Sequence, residues 1–450
     1  MKNLRGRTRV LALGTATAIA VAGALVGCSA ASGTAGSGSG GNSDRPEGEI
    51  HVLVLGDAAA SAEEAAAERF NKTSDVKVVI DQGATAGSDY QAAIRNSVGS
   101  ASAPDVFMSW GAANIQPLLD AGALMPLDDF IKDDPKLKSS FLPSVFNEEV
   151  IDGSTYGIPM RGVAPTFLFY NKAVLKAAGL EPATTWDELL SQVDALKAQG
   201  VTPLGLAGAD KWPTQMWYQY LFAREIGNDK VAAGLAGDGD VWASDGSKTA
   251  LKKLRDLVGA GGFGENYDSV TYGTDGSAAL LRTGKSAYEL MGTWHFATIE
   301  AGDADFVQND LGWTAFPSVD GAGKAGEIAG NLSNYYNVAA DTRYPDTVRD
   351  FLKQLYSDEF LNDQLKLGNL PPTENAASLI EADADLGAVN KDYLSFVVNL
   401  VADAPTFQLS WDQAVPAESQ TPVQNAMADY LNGTIDADAW ISAMQDATAR

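Results

Sequence analysis

Nine tryptophans and 58 carboxylates, set against two histidines and one cysteine, bound the chemistry open to this 450-residue chain. Trp110, Trp212, Trp294 and Trp411 stand at loop positions rather than inside apolar runs. Trp212-Pro213-Thr214-Gln215, Gly292-Thr293-Trp294-His295 and Ser410-Trp411-Asp412-Gln413 each put a flat ring beside hydrogen-bonding neighbours. Such a ring packs on the apolar C–H face of a pyranose, and carboxylates, amides and guanidinium groups take the hydroxyls around its rim. Taken singly, a tryptophan is more often packing than platform. Trp186, Trp217, Trp242, Trp313 and Trp440 are assigned to packing on that ground.

Bond-breaking chemistry finds less support. No serine has glycine at both −2 and +2, so the nucleophile elbow is missing. Gly284-Lys285-Ser286 resembles the tail of a phosphate-binding loop, but position 279 is Ala where the pattern needs Gly. Ser74-Asp75-Val76-Lys77 matches S-x-x-K without its companion motifs. Asp238 and Asp240 begin like a calcium loop, but Trp242 and Ala243 occupy a ligand position and the turn glycine. No metal or cofactor is expected. A glycosidase needs only two well-placed carboxylates and stays open as the alternative.

Charge narrows the partners. Lys and Arg total 32 against 58 Asp and Glu, a formal −26. A surface that acidic repels phosphate, which argues against nucleic acid and favours a neutral ligand. A single Cys leaves no intramolecular disulfide and no thiolate metal cluster.

That Cys has a context of its own. Lys2, Arg5, Arg7 and Arg9 precede an uncharged apolar stretch, Val10 to Val26, and Leu25-Val26-Gly27-Cys28 follows. The pattern resembles the bacterial lipobox, which implies diacylation of the Cys28 thiol and cleavage after residue 27. Two acyl chains anchor stably where one is marginal. An uncleaved apolar helix with an incidental cysteine is the alternative. Cleavage would bring the charge from −26 to −30. Residues 28–48, rich in Ser and Gly, read as a flexible linker with an r.m.s. reach on the order of 25 Å.

Glu49–Leu55, Val76–Ile80 and Asp105–Ser109 read as strands alternating with helices, including one opened by a Ser61/Glu64 capping box and one from Ala113 to Ala121 ended by Gly122. Such alternation predicts an open, parallel, doubly wound α/β sheet with its ligand beyond the carboxyl ends of the strands. Gly56-Asp57 and Ser109-Trp110-Gly111 fall there. A second run of the same kind starts at Thr166–Tyr170, with a Thr185/Glu188 capping box, further strands at Pro203–Leu206, Ala287–Met291, Leu311–Phe316 and Tyr335–Ala339, and helices between. At 450 residues two lobes are needed in any case, since one core stops growing near about 250–300 residues.

The segment from Thr166 to Leu190, TFLFYNKAVLKAAGLEPATTWDELL, resembles the signature of extracellular solute-binding proteins of carbohydrate ABC importers, the group similar to maltodextrin-binding protein. Ala103-Pro104-Asp105-Val106-Phe107, Gly284-Lys285-Ser286-Ala287 leading to Gly292-Thr293-Trp294, and Leu431-Asn432-Gly433-Thr434 extend the likeness in family order. The resemblance implies a two-lobe periplasmic-binding-like fold, each lobe an open sheet flanked by helices, with a hinge closing over sugar. It implies lobe crossings near Met160–Pro165, near Ala340 and around Leu386–Lys391. The amino-terminal lobe would be 49–161 plus 341–388, the carboxyl-terminal lobe 162–340 plus 389–450.

Position by position, the resemblance makes Asp57 an acceptor of sugar hydroxyls, Trp110 and Trp294 stacking rings, Trp411 a late platform and Asp412 its hydrogen-bonding neighbour. Trp212, Gln215 and Asn331 join them by loop position, and Arg161 sits where the crossing strand could reach the cleft. The expected protein is a monomeric lipoprotein on the outer face of the cytoplasmic membrane. It would capture a neutral di- or oligosaccharide, with xylo-oligosaccharide the first choice, and deliver it to an ABC permease without making or breaking a bond.

Overall fold

A computed structural model describes residues 46–449, except 99, 101 and 102. Cys28 and its apolar leader lie outside the described residues. The strands are β1 (Glu49–Val54), β2 (Lys77–Gln82), β3 (Val106–Ser109), β4 (Val150–Ile151), β5 (Ser154–Thr155), β6 (Gly157–Pro159), β7 (Ala164–Asn171), β8 (Thr202–Gly205), β9 (Ser286–Gly292), β10 (Leu311–Thr314), β11 (Ile328–Asn331), β12 (Tyr335–Val338) and β13 (Phe407–Leu409). β4 and β5 form a small hairpin.

The first sheet runs β2-β1-β3-β12-β6. In β1 alternate residues Ile50, Val52 and Val54 are buried, the period-2 pattern of a strand with one face on the core. β1 is parallel to β2 and β3, but β12 is antiparallel to β3 and β6. The second sheet runs β13-β11-β7-β9-β8, with β10 also on β7. There β7 is antiparallel to all three of its neighbours, and only β8–β9 and β11–β13 are parallel. The sheets are therefore mixed, not parallel throughout. A helix-strand alternation cannot tell a crossover that returns parallel from a strand arriving from the other lobe.

Each sheet has its own core. Ile50, Val52, Phe107, Ile158, Tyr336 and Phe351 belong to the first. Phe167, Leu168, Trp217, Leu254, Leu290 and Trp440 belong to the second. Three segments join them. Met160–Val163 is the first, as expected. The second is residues 332–334, because β11 lies in one sheet and β12 in the other; this is earlier than Ala340. The third falls near 361–370, since Phe360 packs in the first core while Leu365, Leu370, Ala376 and Leu386 pack in the second. The expected return at Leu386–Lys391 is too late by about twenty residues. The crossings are laced together: Met160 N–H donates to the Asn334 carbonyl at 2.8 Å, Val163 N–H to the Leu370 carbonyl at 2.8 Å, and the Ser333 hydroxyl to the Arg161 carbonyl at 2.6 Å.

Two local expectations differ in detail. The helix Ala60–Asn71 starts before Ser61, whose hydroxyl bonds back to the Ala58 carbonyl, so there is no Ser61/Glu64 capping box. The Ala113–Ala121 helix is broken into a turn, Ala112–Asn114, and a short helix, Gln116–Asp120, with Gly122 left-handed at φ 63° behind it.

Candidate functional site

The wall on the first sheet is built from the ends of β1 and β3. These strands are adjacent and parallel, so Gly56-Asp57 and Trp110 emerge side by side. Tyr90, fully buried on the helix Gly87–Ser97, pins both strands by donating to the Leu53 carbonyl at 2.9 Å and contacting the Met108 carbonyl at 3.0 Å. Half-buried Trp110 lies edge-on to Tyr90 at 5.7 Å. Asp57 is not a free carboxylate. Its Oδ2 receives Arg161 Nη1–H at 2.9 Å and its Oδ1 receives the Ala59 N–H at 3.2 Å. Behind Arg161, Glu63 accepts from Nε at 2.7 Å and from Nη2 at 3.1 Å. Glu63 is wholly buried and Arg161 nearly so, while the Asp57 side chain keeps 27% of its surface. Burial pushes the Glu63 carboxyl up to about 7 even with Arg161 beside it. Burial alone would make Arg161 less basic, but Asp57 and Glu63 outweigh it and hold the guanidinium charged.

The wall on the second sheet is aromatic. Trp212 opens the helix Trp212–Ile226, and Trp294 opens the helix that follows β9. Their rings lie 6.1 Å apart, and Tyr272 meets Trp212 edge-on at 5.4 Å. Gly292 makes this possible, because a Cβ there would fall 2.0 Å from the Trp294 ring. Lys211, before Trp212, holds a left-handed φ of 65°, a costly conformation for a residue with a side chain. Its ammonium reaches Asn425 Oδ1 at 2.5 Å. The Tyr272 hydroxyl pairs with Thr298 Oγ1 at 3.0 Å, and beneath the rings His295 Nε2 meets the buried Glu289 carboxylate at 3.0 Å.

The two walls come within electrostatic reach of each other. Burial pushes the Tyr272 phenol well up, and the charges of Glu289 and, from the opposite wall, Asp57 add to the rise. Likewise burial raises the Asp210 carboxyl, and the charge of Asp89 across the gap raises it further. At the rim the lobes touch: Asn114 Oδ1 accepts from Gln91 Nε2 at 3.0 Å and from Gln420 Nε2, on the other lobe, at 3.1 Å.

The remaining expected residues divide. Trp212 and Trp294 come together, and Asp57 and Trp110 share the facing wall. Asp412 is half-buried, and burial raises its carboxyl. Asn331 is half-buried at the end of β11, beside the second crossing. Gln215 is buried one turn into its helix, with neither amide atom paired among the described residues. Trp411 is a correction. Its ring is fully buried, edge-on to Trp242 at 5.3 Å and Tyr218 at 5.6 Å, and it is core. Sequence reasoning missed Tyr272 and Glu63. Tyr272 carries the same signal as the tryptophans, an aromatic beside glycine in Thr271-Tyr272-Gly273. Glu63 carries none, being one acid among several on an Ala-rich helix.

The family model described as bacterial extracellular solute-binding protein matches residues 55–360. A xylose/arabinose-binding protein of Haloferax volcanii is 26% identical over 249 residues, 53% of this chain and 51% of that protein. The chain spans about half or less of the length of the curated relatives it matches. Among solved structures, one from work on xylan utilization by the thermophilic bacterium Caldanaerobius polysaccharolyticus superposes with a TM-score of 0.78 at 24% identity, over 88% of this chain and 99% of that one. A chitin oligosaccharide binding protein gives 0.77 at 22% identity, over 89% and 98%. These two likenesses bear on the fold, which is that of two-lobe solute-binding proteins. No helix among the described residues is long and apolar enough to cross a membrane.

Proposed function

The chain belongs to the bacterial extracellular solute-binding proteins, and from that premise we propose that it captures a neutral di- or oligosaccharide between its lobes for an ABC importer. The observation that carries this reading is the meeting of two kinds of group: the Trp212–Tyr272–Trp294 rings of one lobe, and Asp57 of the other near enough for its charge to act on the Tyr272 phenol. Rings on one side cover the C–H face of a sugar, and on the other a carboxylate accepts from its hydroxyls. Sugar binds the closed form better than the open one because only there do both walls touch it, and this differential is what drives closure. Capture is reversible, with no bond made or broken. The closed form then docks on a permease, and ATP hydrolysis by other chains drives transport.

Xylo-oligosaccharide is the first choice of ligand, supported by the names of the pentose-binding relative and the xylan-utilization structure. Cys28 is proposed as the lipidated residue that tethers the body to the outer face of the cytoplasmic membrane. The decisive experiment is a thermal-shift screen of the purified protein against xylo-, chito- and malto-oligosaccharides, followed by calorimetry on any hit. A ligand of the folded form raises the melting temperature by linkage. Release of reducing ends during the calorimetry would replace capture with hydrolysis.

A further inference from the structure

We propose that Arg161, fixed from behind by the buried carboxylate of Glu63, is a positioning residue: it holds Asp57 in its ligand-facing geometry and ties it to the interlobe hinge. The inference rests on the capture reading and adds to it how one wall of the cleft is kept in shape.

The guanidinium has two edges, and they are not equally spent. Nε and Nη2 are taken by Glu63 in a two-bond fork at 2.7 and 3.1 Å, while only Nη1 reaches Asp57, at 2.9 Å. A carboxylate offers about four acceptor sites. Asp57 uses one on Arg161 and one on the Ala59 N–H, so it keeps acceptors for hydroxyl donors. Where both carboxylates are ionised they share one cation, so the charge of Asp57 is only partly cancelled. The surplus negative charge rests on the partner that reaches solvent, since Glu63 is wholly buried and the Asp57 side chain is 27% exposed.

The backbone of Arg161 belongs to the hinge. Its carbonyl accepts from Ser333 of the second crossing at 2.6 Å, and Val163, two residues on, is bonded to Leu370 of the third at 2.8 Å. Gly162 between them lies so close to Leu370 that a Cβ would fall 2.6 Å from its carbonyl oxygen. All three crossings meet around this residue, while its side chain is anchored in the first lobe. A buried ion pair is weak grounds for stability in itself. Here it does something more specific, fixing one lone-pair direction of Asp57 relative to the strands that move.

The test is a double-mutant cycle on Glu63→Gln and Asp57→Asn, with calorimetric affinity for xylobiose, xylotriose and chitobiose. Glu63→Gln frees the guanidinium to turn wholly onto Asp57 and is expected to weaken binding about tenfold, the loss of one charge-assisted hydrogen bond. Asp57→Asn should cost as much, and the double variant no more than Asp57→Asn alone, because residues acting through one another do not add. Wild-type affinity in Glu63→Gln, or additive losses in the double variant, overturns the proposal. Where Glu63→Gln fails to fold, Arg161→Lys serves: it keeps the charge, loses the fork, and should weaken binding only while Asp57 is present. Hydrogen–deuterium exchange without any sugar gives a second readout. Amides of residues 55–59 should exchange faster in Arg161→Lys, and unchanged exchange there also overturns the proposal. A wild-type protein that takes none of the sugars sinks the capture reading alone, and the exchange measurement then decides the positioning.

Discussion

The two walls solve opposite problems. The wall on the second sheet is made of rings, and a ring needs only room: Gly292 leaves space for Trp294, and Trp212 and Tyr272 lean on it and on each other. Its residues sit close to glycine or proline in the chain and can be picked out locally. The wall on the first sheet presents a charge, and a charge near low-dielectric surroundings must be partnered. The partner of Asp57 is 104 residues away in sequence, and the partner of that partner, Glu63, comes back to the same stretch of chain as Asp57. The topology assembles both walls, but each ring announces itself by its own neighbours, whereas the ionic partners do not.

The largest expected effect sharpens the line between ring as platform and ring as core. Trp411→Ala removes a fully buried ring from among Tyr218, Phe222 and Trp242. It should cost about 3–5 kcal/mol of folding stability, measured by chemical denaturation of the purified protein. Trp294→Ala should do the reverse. The ring also packs on Trp212, so some stability goes with it, but the larger loss is the buried aromatic contact with ligand, about 1.5–3 kcal/mol or roughly 10–100-fold in affinity by calorimetry. A Trp411→Ala protein of normal stability that no longer binds sugar would return Trp411 to the cleft. An unchanged affinity in Trp294→Ala would take that ring out of it.

How far each wall was legible follows from the same difference. β1 and β7 stand where their apolar runs put them, and Thr185 and Glu188 form both halves of the capping box. Gly122 takes the left-handed conformation expected behind its helix. These are local signals with local causes. β11 and β13, of four and three residues, are too short to show a period, and β13 pairs β11 across almost 80 residues of chain. Tyr335–Val338 reads correctly as a strand, yet nothing in an apolar run says which sheet it joins, and that misplaced the second crossing. Trp411 fails for a related reason. Ser410-Trp411-Asp412 looks like an open loop, but the four-residue helix Trp411–Ala414 turns the ring inward.

The next effect is a slope with pH, and it probes the ionic wall without ligand. Glu63 faces Arg161 and Asp57, with Glu64 on its own helix and the buried Tyr90 and Tyr336 nearby. Its folded pKa, about 7, lies above the 4.5 of an ordinary Glu, so between those values the folded state holds more protons than the unfolded one. Stability from this group is therefore full below about 4.5 and is lost as the pH rises through about 7. Wild type should lose ground to Glu63→Gln in urea midpoints as the pH climbs from 5 to 8. Parallel profiles would mean that Glu63 stays ionised throughout, and the wall would then owe nothing to a buried proton.

The smallest effect lies at the rim, where the walls meet without ligand between them. Gln420 and Gln91 donate to the same oxygen of Asn114, so this rim contact adds one neutral hydrogen bond between the lobes, away from the crossings. A neutral hydrogen bond of this kind is worth about 0.5–1.5 kcal/mol net. Gln420→Ala should therefore weaken sugar affinity only about two- to tenfold, and it should act on the dissociation rate, since a bond that exists only when the lobes touch cannot steer encounter. Stopped-flow tryptophan fluorescence separates the two rates. Faster release with unchanged association would make the amide pair a closure contact. An equal fall in both rates would instead place Gln420 on the path of the incoming sugar, and the rim would belong to the recognition surface together with the rings.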